Sequence, residues 1–292
     1  PDARIDKLAE IYRPKKVTYA EIRFVDVAGQ LASEGQSKSG LDADTVALIR
    51  ESDALVHVIR GFSNPALTDA PDAARELAAF EDELILTDMV QVEKRVARLR
   101  KEKRGPELDL LERLLSGLEE GRSLRRPGLD ADVLKSLAGF SFLTLKPILA
   151  VVNQPESDAG GIVPEAVAKE AQERGMQAMS LSAMIEAEIM AMSPEDQQAF
   201  LADLGLSDPV RDRFIRAAYG LLDLISFLTC GEDEVRAWTI TRGSTAPQAA
   251  GVIHTDFERG FIAAQIVNYD DLVAAGSEQA AKAAGKLRTE GK

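Results

Sequence analysis

Four short apolar runs separated by helix-period stretches constrain this chain more than any other feature. They lie at Val17–Val25, Ala54–Arg60, Lys146–Asn153 and Met176–Leu181. Their β-branched and apolar residues follow one another with little alternation, which is the pattern of strands buried on both faces of a parallel sheet. The helical stretches between them supply the crossovers, so the expected class is α/β. Polar residues gather at the ends of three runs: Asp26 with Gly29 after the first, Asn153 after the third, and Ser180-Leu181-Ser182 after the fourth. In open parallel sheets ligands collect at the carboxyl ends of the strands, where these residues would converge. Asp26-Val27-Ala28-Gly29 is suited to phosphate chemistry. The carboxylate can hold a metal directly or through water, and the glycine lets a backbone N–H approach a terminal phosphate. The same tetrapeptide also makes ordinary turns, and Asn153 and the serines are equally good helix or turn caps.

Between the second and third runs the period changes. Ile85, Met89, Val92, Val96 and Leu99 step by 4, 3, 4 and 3, the seam of a coiled coil. Gly105-Pro106 interrupts it, and Leu108, Leu111, Leu115 and Leu118 resume the steps up to Gly121. Two seams joined by a tight break predict an antiparallel helical hairpin. A short amphipathic helix carrying Ile5, Leu8 and Ile11 opens the chain, and further helices are expected near 42–51, 130–137, 164–174 and 209–220. Ser33 to Gly40 has no periodicity and reads as a mobile loop. After 221, Val235–Ile240 alternates and Gly260–Val267 reads as another strand. The stretch around Pro247 and Gly251 is expected to be non-helical, and Ala280–Leu287 helical. The resulting division is 1–75, a sheet domain interrupted by a helical insertion at 76–140 and completed at 141–220, followed by a small α+β unit at 221–292.

Composition narrows the functional classes. A net charge of −13 over 292 residues argues against a protein that coats nucleic acid, while leaving room for a local basic surface. One candidate lies between Gln91 and Arg104, where Lys94, Arg95, Arg98, Arg100, Lys101, Lys103 and Arg104 face only Glu93 and Glu102. Arg122, Arg125 and Arg126 follow nearby, and the alternative is a solvated helical face. A single cysteine, Cys230, excludes an internal disulfide framework and suits a reducing, cytoplasmic setting. It reads as a buried and inert thiol, and His57 and His254 read as structural. No apolar run reaches membrane-spanning length.

Several segments together resemble the YchF-type, Obg-like P-loop ATPases. They are Pro1–Ala9, Phe24–Gly29, Phe142–Pro147, Glu234–Thr239 and, most specifically, Pro247–Phe261. The resemblance spans nearly the whole chain. It implies a P-loop NTPase-type parallel sheet with an inserted helical hairpin and a carboxyl-terminal β-grasp (TGS) domain. It also implies ATP and Mg²⁺ as ligands, a ribosome-associated regulatory role and contact with the ribosome and RNA through the basic hairpin and the TGS domain. Carried over, Asp26 faces the metal and Gly29 the γ-phosphate, while Asn153, Gln154 and Glu156 surround the base with Ser180, Leu181 and Ser182. ATP is expected over GTP because Asn153-x-x-Glu156 stands where GTPases carry Asn-Lys-x-Asp, whose Asp accepts from the guanine ring.

The departures are equally specific. The phosphate-binding Gly-x-x-x-x-Gly-Lys-[Ser/Thr] and the switch threonine are expected upstream of Pro1, and the end of the TGS domain beyond Lys292. The chain therefore reads as a fragment, inactive by itself. The hydrolytic histidine usual after the second strand is missing from Gly61 to Asp72, and Leu41-Asp42-Ala43-Asp44 replaces a usual Gly-Asn-Lys run. Gln30 stands where the family usually has a hydrophobic residue. A glutamine there can orient an attacking water, or it can simply face solvent. The alternative to an ATPase is a non-hydrolysing ribosome- or RNA-binding scaffold with a degenerate nucleotide site.

Overall fold

A computed structural model describes residues 2–27, 41–102, 105–126, 128–158, 161–206 and 208–291. Its elements begin with α1 (Ala3–Tyr12), β1 (Lys16–Thr18), α2 (Ala43–Glu51), β2 (Leu55–Arg60), α3 (Ala73–Glu102), α4 (Pro106–Glu119) and α5 (Ala131–Leu137). They continue with β3 (Ile148–Asn153), α6 (Glu165–Glu173), β4 (Gln177–Leu181), α7 (Ala183–Ala191), α8 (Pro194–Asp203) and α9 (Val210–Leu221). The last are β5 (Leu224–Cys230), β6 (Glu234–Thr241), α10 (Ala246–Ile253), α11 (Thr255–Arg259), β7 (Ala263–Ile266), α12 (Tyr269–Ala275), α13 (Glu278–Ala283) and β8 (Arg288–Gly291). They form two compact units, Val27–Leu222 and Pro1–Asp26 together with Asp223–Lys292.

The α/β unit is built on a parallel sheet of order β2-β3-β4. β3 is buried on both faces, as its unbroken apolar run predicts. Ile148, Ala150 and Val152 pack with Leu77, Leu84, Val167 and Ala171, while Leu149 and Val151 pack with Met179 and Val210. β2 departs from the expectation of two covered faces. Leu55 and Ile59 are buried, but Val58 on the opposite face is 65% exposed. The hairpin forms, and Ile85, Val92, Val96 and Leu99 of α3 meet Leu111 and Leu118 of α4 as the seams predict; Leu114, outside the expected seam, is buried with them, while Met89, Leu108 and Leu115 are only partly buried. Gly121 closes the second helix with positive φ, which a glycine adopts without a Cβ penalty.

Buried polar groups anchor the hairpin's root. Asp88 of α3, fully buried, accepts hydrogen bonds from the Leu143 and Thr144 amides at 2.9 and 2.8 Å and from the Thr144 hydroxyl at 2.7 Å. Burial nonetheless pushes its carboxyl above the ordinary range. Glu81 pairs with Arg125 at 3.0 Å, both side chains being buried. Arg125 was expected to add to a basic surface. Instead it donates to the Lys146 carbonyl at 2.6 Å and to the Arg174 carbonyl at 3.4 Å, tying α3 to the start of β3 and the end of α6.

The other unit corrects two expectations. The run Val17–Val25 is not a buried strand of the parallel sheet. Only Lys16–Thr18 forms a strand, which pairs in parallel with β6, while Phe24 and Val25 are 56% and 50% exposed. Residues 1–26 are thus separated from the domain expected for 1–75, because α1 buries Ile5 and Leu8 against Val235, Ala237, Leu272 and Ala281. β5 and β6 pair antiparallel, and β7 pairs with β8. The stretch around Pro247 is helical, contrary to expectation. Thr245 and Gln248 form a capping box at the start of α10, and a proline in the first turn loses no hydrogen bond. Gly251 lets α11 pack closely, since a Cβ there would lie 2.6 Å from Glu258 Oε2. The expected strand Gly260–Val267 is confined to β7, α12 lies where no helix was expected, and the helix expected at Ala280–Leu287 ends at Ala283.

Candidate nucleotide site

The carboxyl ends of the three parallel strands stand level, with Arg60 opposite Asn153 and Asn153 opposite Leu181. The ladder continues one residue further. The Gly61 amide donates to the Asn153 carbonyl at 2.8 Å, and the Gln154 amide to the Leu181 carbonyl at 2.7 Å. Backbone rigidity therefore extends to the start of the loop after β3. A Cβ on Gly61 would sit 2.8 Å from Val152 Cγ1 and 3.0 Å from the Asn153 carbonyl oxygen, so this close approach requires glycine.

Asn153 does not cap its own turn. Its Oδ1 accepts from the Ala183 amide at 3.0 Å, closing the N-terminus of α7 from the neighbouring strand. Among the described residues, its Nδ2 donors enter no hydrogen bond. Ser182 occupies the N-cap position of α7, yet its buried hydroxyl makes no cap bond and has no partner among the described residues. Ser180 is fully buried and donates to the Val152 carbonyl at 3.3 Å, so its side chain is spent inside the sheet. Gln154 is also spent: its amide holds the Ile162 carbonyl at 3.0 Å and fixes the loop entering α6. Glu156 is exposed in the 3₁₀ turn Glu156–Asp158. The structure thus brings Asn153, Gln154, Ser180, Leu181 and Ser182 together, with Glu156 on the rim.

An open apolar groove of about 320 Å³ adjoins Asn153, lined by Val56, Val58, Val151, Leu181, Ala183 and Phe214. On α9, the Arg213 guanidinium lies against Gly161, where a Cβ would come within 2.7 Å of Nη2. Its Nη1 is buried without a partner among the described residues. Sequence reasoning missed Arg213, because an arginine near a helix start carries no motif. Asp26 belongs to the other unit, exposed and outside regular structure. Gly29, Gln30 and the expected loop Ser33–Gly40 lie outside the described residues. Among the described residues no cluster of acidic, His or Cys side chains forms a metal site.

The hairpin surface is less cationic than its sequence suggested, because α4 supplies acidic partners. Arg95 bridges to Glu107 at 2.6 Å and Arg100 to Glu112 at 2.8 Å, across the two helices. Arg98 bridges to Glu102 at 2.9 Å within α3. Lys94 and Lys101 are exposed without an ion-pair partner among the described residues, and Lys103 and Arg104 lie outside them.

The family model YchF-GTPase_C, described as "Protein of unknown function (DUF933)", matches residues 224–292. The protein named "Ribosome-binding ATPase YchF" of Haemophilus ducreyi is 41% identical over all of this chain and 83% of its own length. The proteins of the same name from Escherichia coli O157:H7 and Bacillus subtilis are 39% and 38% identical, each with 83% of its length covered. The solved structure of the Schizosaccharomyces pombe YchF GTPase superposes with a TM-score of 0.84 at 32% identity, covering all of this chain and 82% of that one. Relatives 38–41% identical over the whole of this chain, with 83% of their own length covered, show that the chain belongs to the YchF family.

Proposed function

We propose that this chain carries the base-recognition side of the nucleotide site of a cytoplasmic, ribosome-associated ATPase that prefers ATP to GTP. The observation that carries the reading is the fixing of Asn153 by the Ala183 amide. It holds the side chain at the sheet's carboxyl edge with its Nδ2 donors available to a purine ring nitrogen. Glu156 supplies an acceptor suited to the adenine amino group and stands where GTPases carry the Asp that reads guanine. The relatives' shared name, ribosome-binding ATPase, supports the same assignment.

Mg²⁺, when bound, would neutralise phosphate charge, and Asp26 is the residue proposed to face it. A single carboxylate fits an ion that takes most of its other ligands from water and phosphate. Gly29 is proposed to face the terminal phosphate. Residues 221–292 are assigned to a TGS domain and 76–140 to a coiled-coil insertion. Contact with ribosomal RNA is assigned to Lys94 and Lys101, which are exposed and without an ion-pair partner among the described residues.

Titration of the complete gene product with ATP and with GTP tests the reading. ATP is expected to bind more tightly, and Asn153→Ala to weaken it about tenfold, the loss of one well-placed hydrogen bond. Equal affinity for both nucleotides, or an unchanged ATP affinity in the variant, removes the assignment.

A further inference from the structure

We propose that the C-terminus of α2 and the middle of α3 form one cooperative joint, built on Gln91, through which displacement of α2 reaches the core of the helical hairpin. Gln91 uses both ends of its amide. Its Oε1 accepts from Arg50 Nη2 of α2 at 2.8 Å, and its Nε2 donates to the Phe140 carbonyl at 2.9 Å. Phe140 stacks on Phe142 with ring centroids 5.0 Å apart, and both rings pack in the apolar cluster that holds the hairpin together. The amide therefore bridges α2 and the hairpin core directly.

A second strut runs beside the first. Lys146 Nζ donates to the carbonyls of Arg50 and Ser52 at the end of α2. Burial holds this ammonium below its ordinary pKa. Two residues before it, Thr144 is locked to Asp88, one turn along α3 from Gln91. Ile49 adds an apolar contact, packing in one cluster with Leu77 and Leu84 of α3. The other end of α2 is held locally, by its own cap from Asp42 to the Thr45 amide at 2.7 Å. The start of α2 thus carries its own cap and packs through Val46 on the same core, while its end alone hydrogen-bonds to Gln91 and Lys146.

A leucine at position 91 would fill similar space, so packing alone does not call for an amide that spends acceptor and donor on different elements. Rigid elements joined through a few specific polar contacts can transmit a shift only if the contacts are energetically coupled, and a mutant cycle measures that. α2 is the helix that follows Asp26 to Gln30 in sequence. If the proposed nucleotide reading holds, phosphate contacts made there would be felt in the hairpin.

The test is native-state hydrogen exchange of the complete gene product, read at the hairpin amides 92–99 and 111–118, for the parent, Arg50→Ala, Gln91→Leu and the double variant. Each single variant is expected to speed hairpin exchange about fivefold to tenfold, the loss of one or two hydrogen bonds. The double variant should be no faster than Gln91→Leu. Multiplying effects would overturn the joint, as would single variants that leave the hairpin unchanged. Gln91→Glu keeps the acceptor for Arg50 and loses the donor to Phe140, so it should loosen the hairpin while α2 stays protected. Retained far-ultraviolet circular dichroism excludes global unfolding as the cause. A second arm adds Mg·ATP. Bound ATP that alters hairpin exchange in the parent but not in Gln91→Leu supports transmission, and bound ATP with no hairpin response in the parent overturns it. Absence of ATP binding overturns the nucleotide reading alone, and the mutant cycle still decides the joint.

Discussion

His57 illustrates how a single side chain acquires its properties from its setting. Its ring packs against Phe80, tilted by 32° with centroids 4.2 Å apart; Nδ1 has no hydrogen-bond partner among the described residues, and burial pushes its pKa down to about 4. In the unfolded chain the imidazole takes up a proton as pH falls through about 6.5, whereas the folded protein resists until about 4. This group therefore lowers stability as pH falls across that window, by up to about 3 kcal/mol. His57→Phe keeps the ring contact and removes the titration. Its denaturant midpoint should fall less than the parent's between pH 6.5 and 4, and superimposable curves would refute the assignment. Cys230, half-buried, has its thiol pushed up to about 11 by burial, which keeps it a thiol at neutral pH, the inert state its position suggested. Gln30 lies outside the described residues. If it orients water, Gln30→Leu in the complete gene product should lower kcat at least tenfold with KM little changed. An unchanged kcat assigns it to solvent.

At the level of elements, the hairpin shows that apolar spacing and polar anchoring are separate problems. The steps of 3 and 4 identified both helices and the break at Gly105-Pro106, because a seam is a local pattern that one helix needs in order to bury one face. How the hairpin attaches was not legible. Glu81 and Asp88 lie among the seam residues like ordinary helix charges, and only the folded chain brings Arg125 and the 143–144 amides to them. Removing one partner of the buried pair should cost more than removing both. Glu81→Leu alone leaves the Arg125 guanidinium buried and uncompensated, at a cost of about 3–5 kcal/mol. Glu81→Leu with Arg125→Met should recover most of that in chemical denaturation. A double variant as unstable as the single one would show that the carbonyl contacts of Arg125 carry the anchoring. The same limit applies to charge. A run of basic residues on α3 reads as a phosphate-binding surface until Glu107 and Glu112 arrive from α4, because neutralisation across a hairpin depends on which residues face each other.

For the whole molecule, chain order misleads about which residues fold together. α1 and β1 precede the α/β unit in sequence yet complete the core of the carboxyl-terminal one, through Ile5 and Leu8 and through the pairing of β1 with β6. Trp238, the single tryptophan, lies in that unit, stacked near Phe227 with Arg236 over its ring at 3.9 Å. Ile5→Ala should therefore shift the Trp238 fluorescence transition, with a loss of about 2–4 kcal/mol for a fully buried isoleucine. A fluorescence transition unmoved by Ile5→Ala would detach α1 from that core. The sequence by itself determined the helices of the hairpin, the three parallel strands and the family, since periodicity, turn residues and matching segments are properties of short stretches. It also identified the level at which Asn153, Leu181 and Ser182 meet, because strand ends in a parallel sheet share one edge. Only the tertiary structure decided that Val17–Val25 leaves that sheet, that Ser180 and Gln154 are spent on the backbone, and that Asn153 closes α7. Each of these depends on which distant group satisfies a buried surface or a polar atom, and that is settled when the whole chain packs.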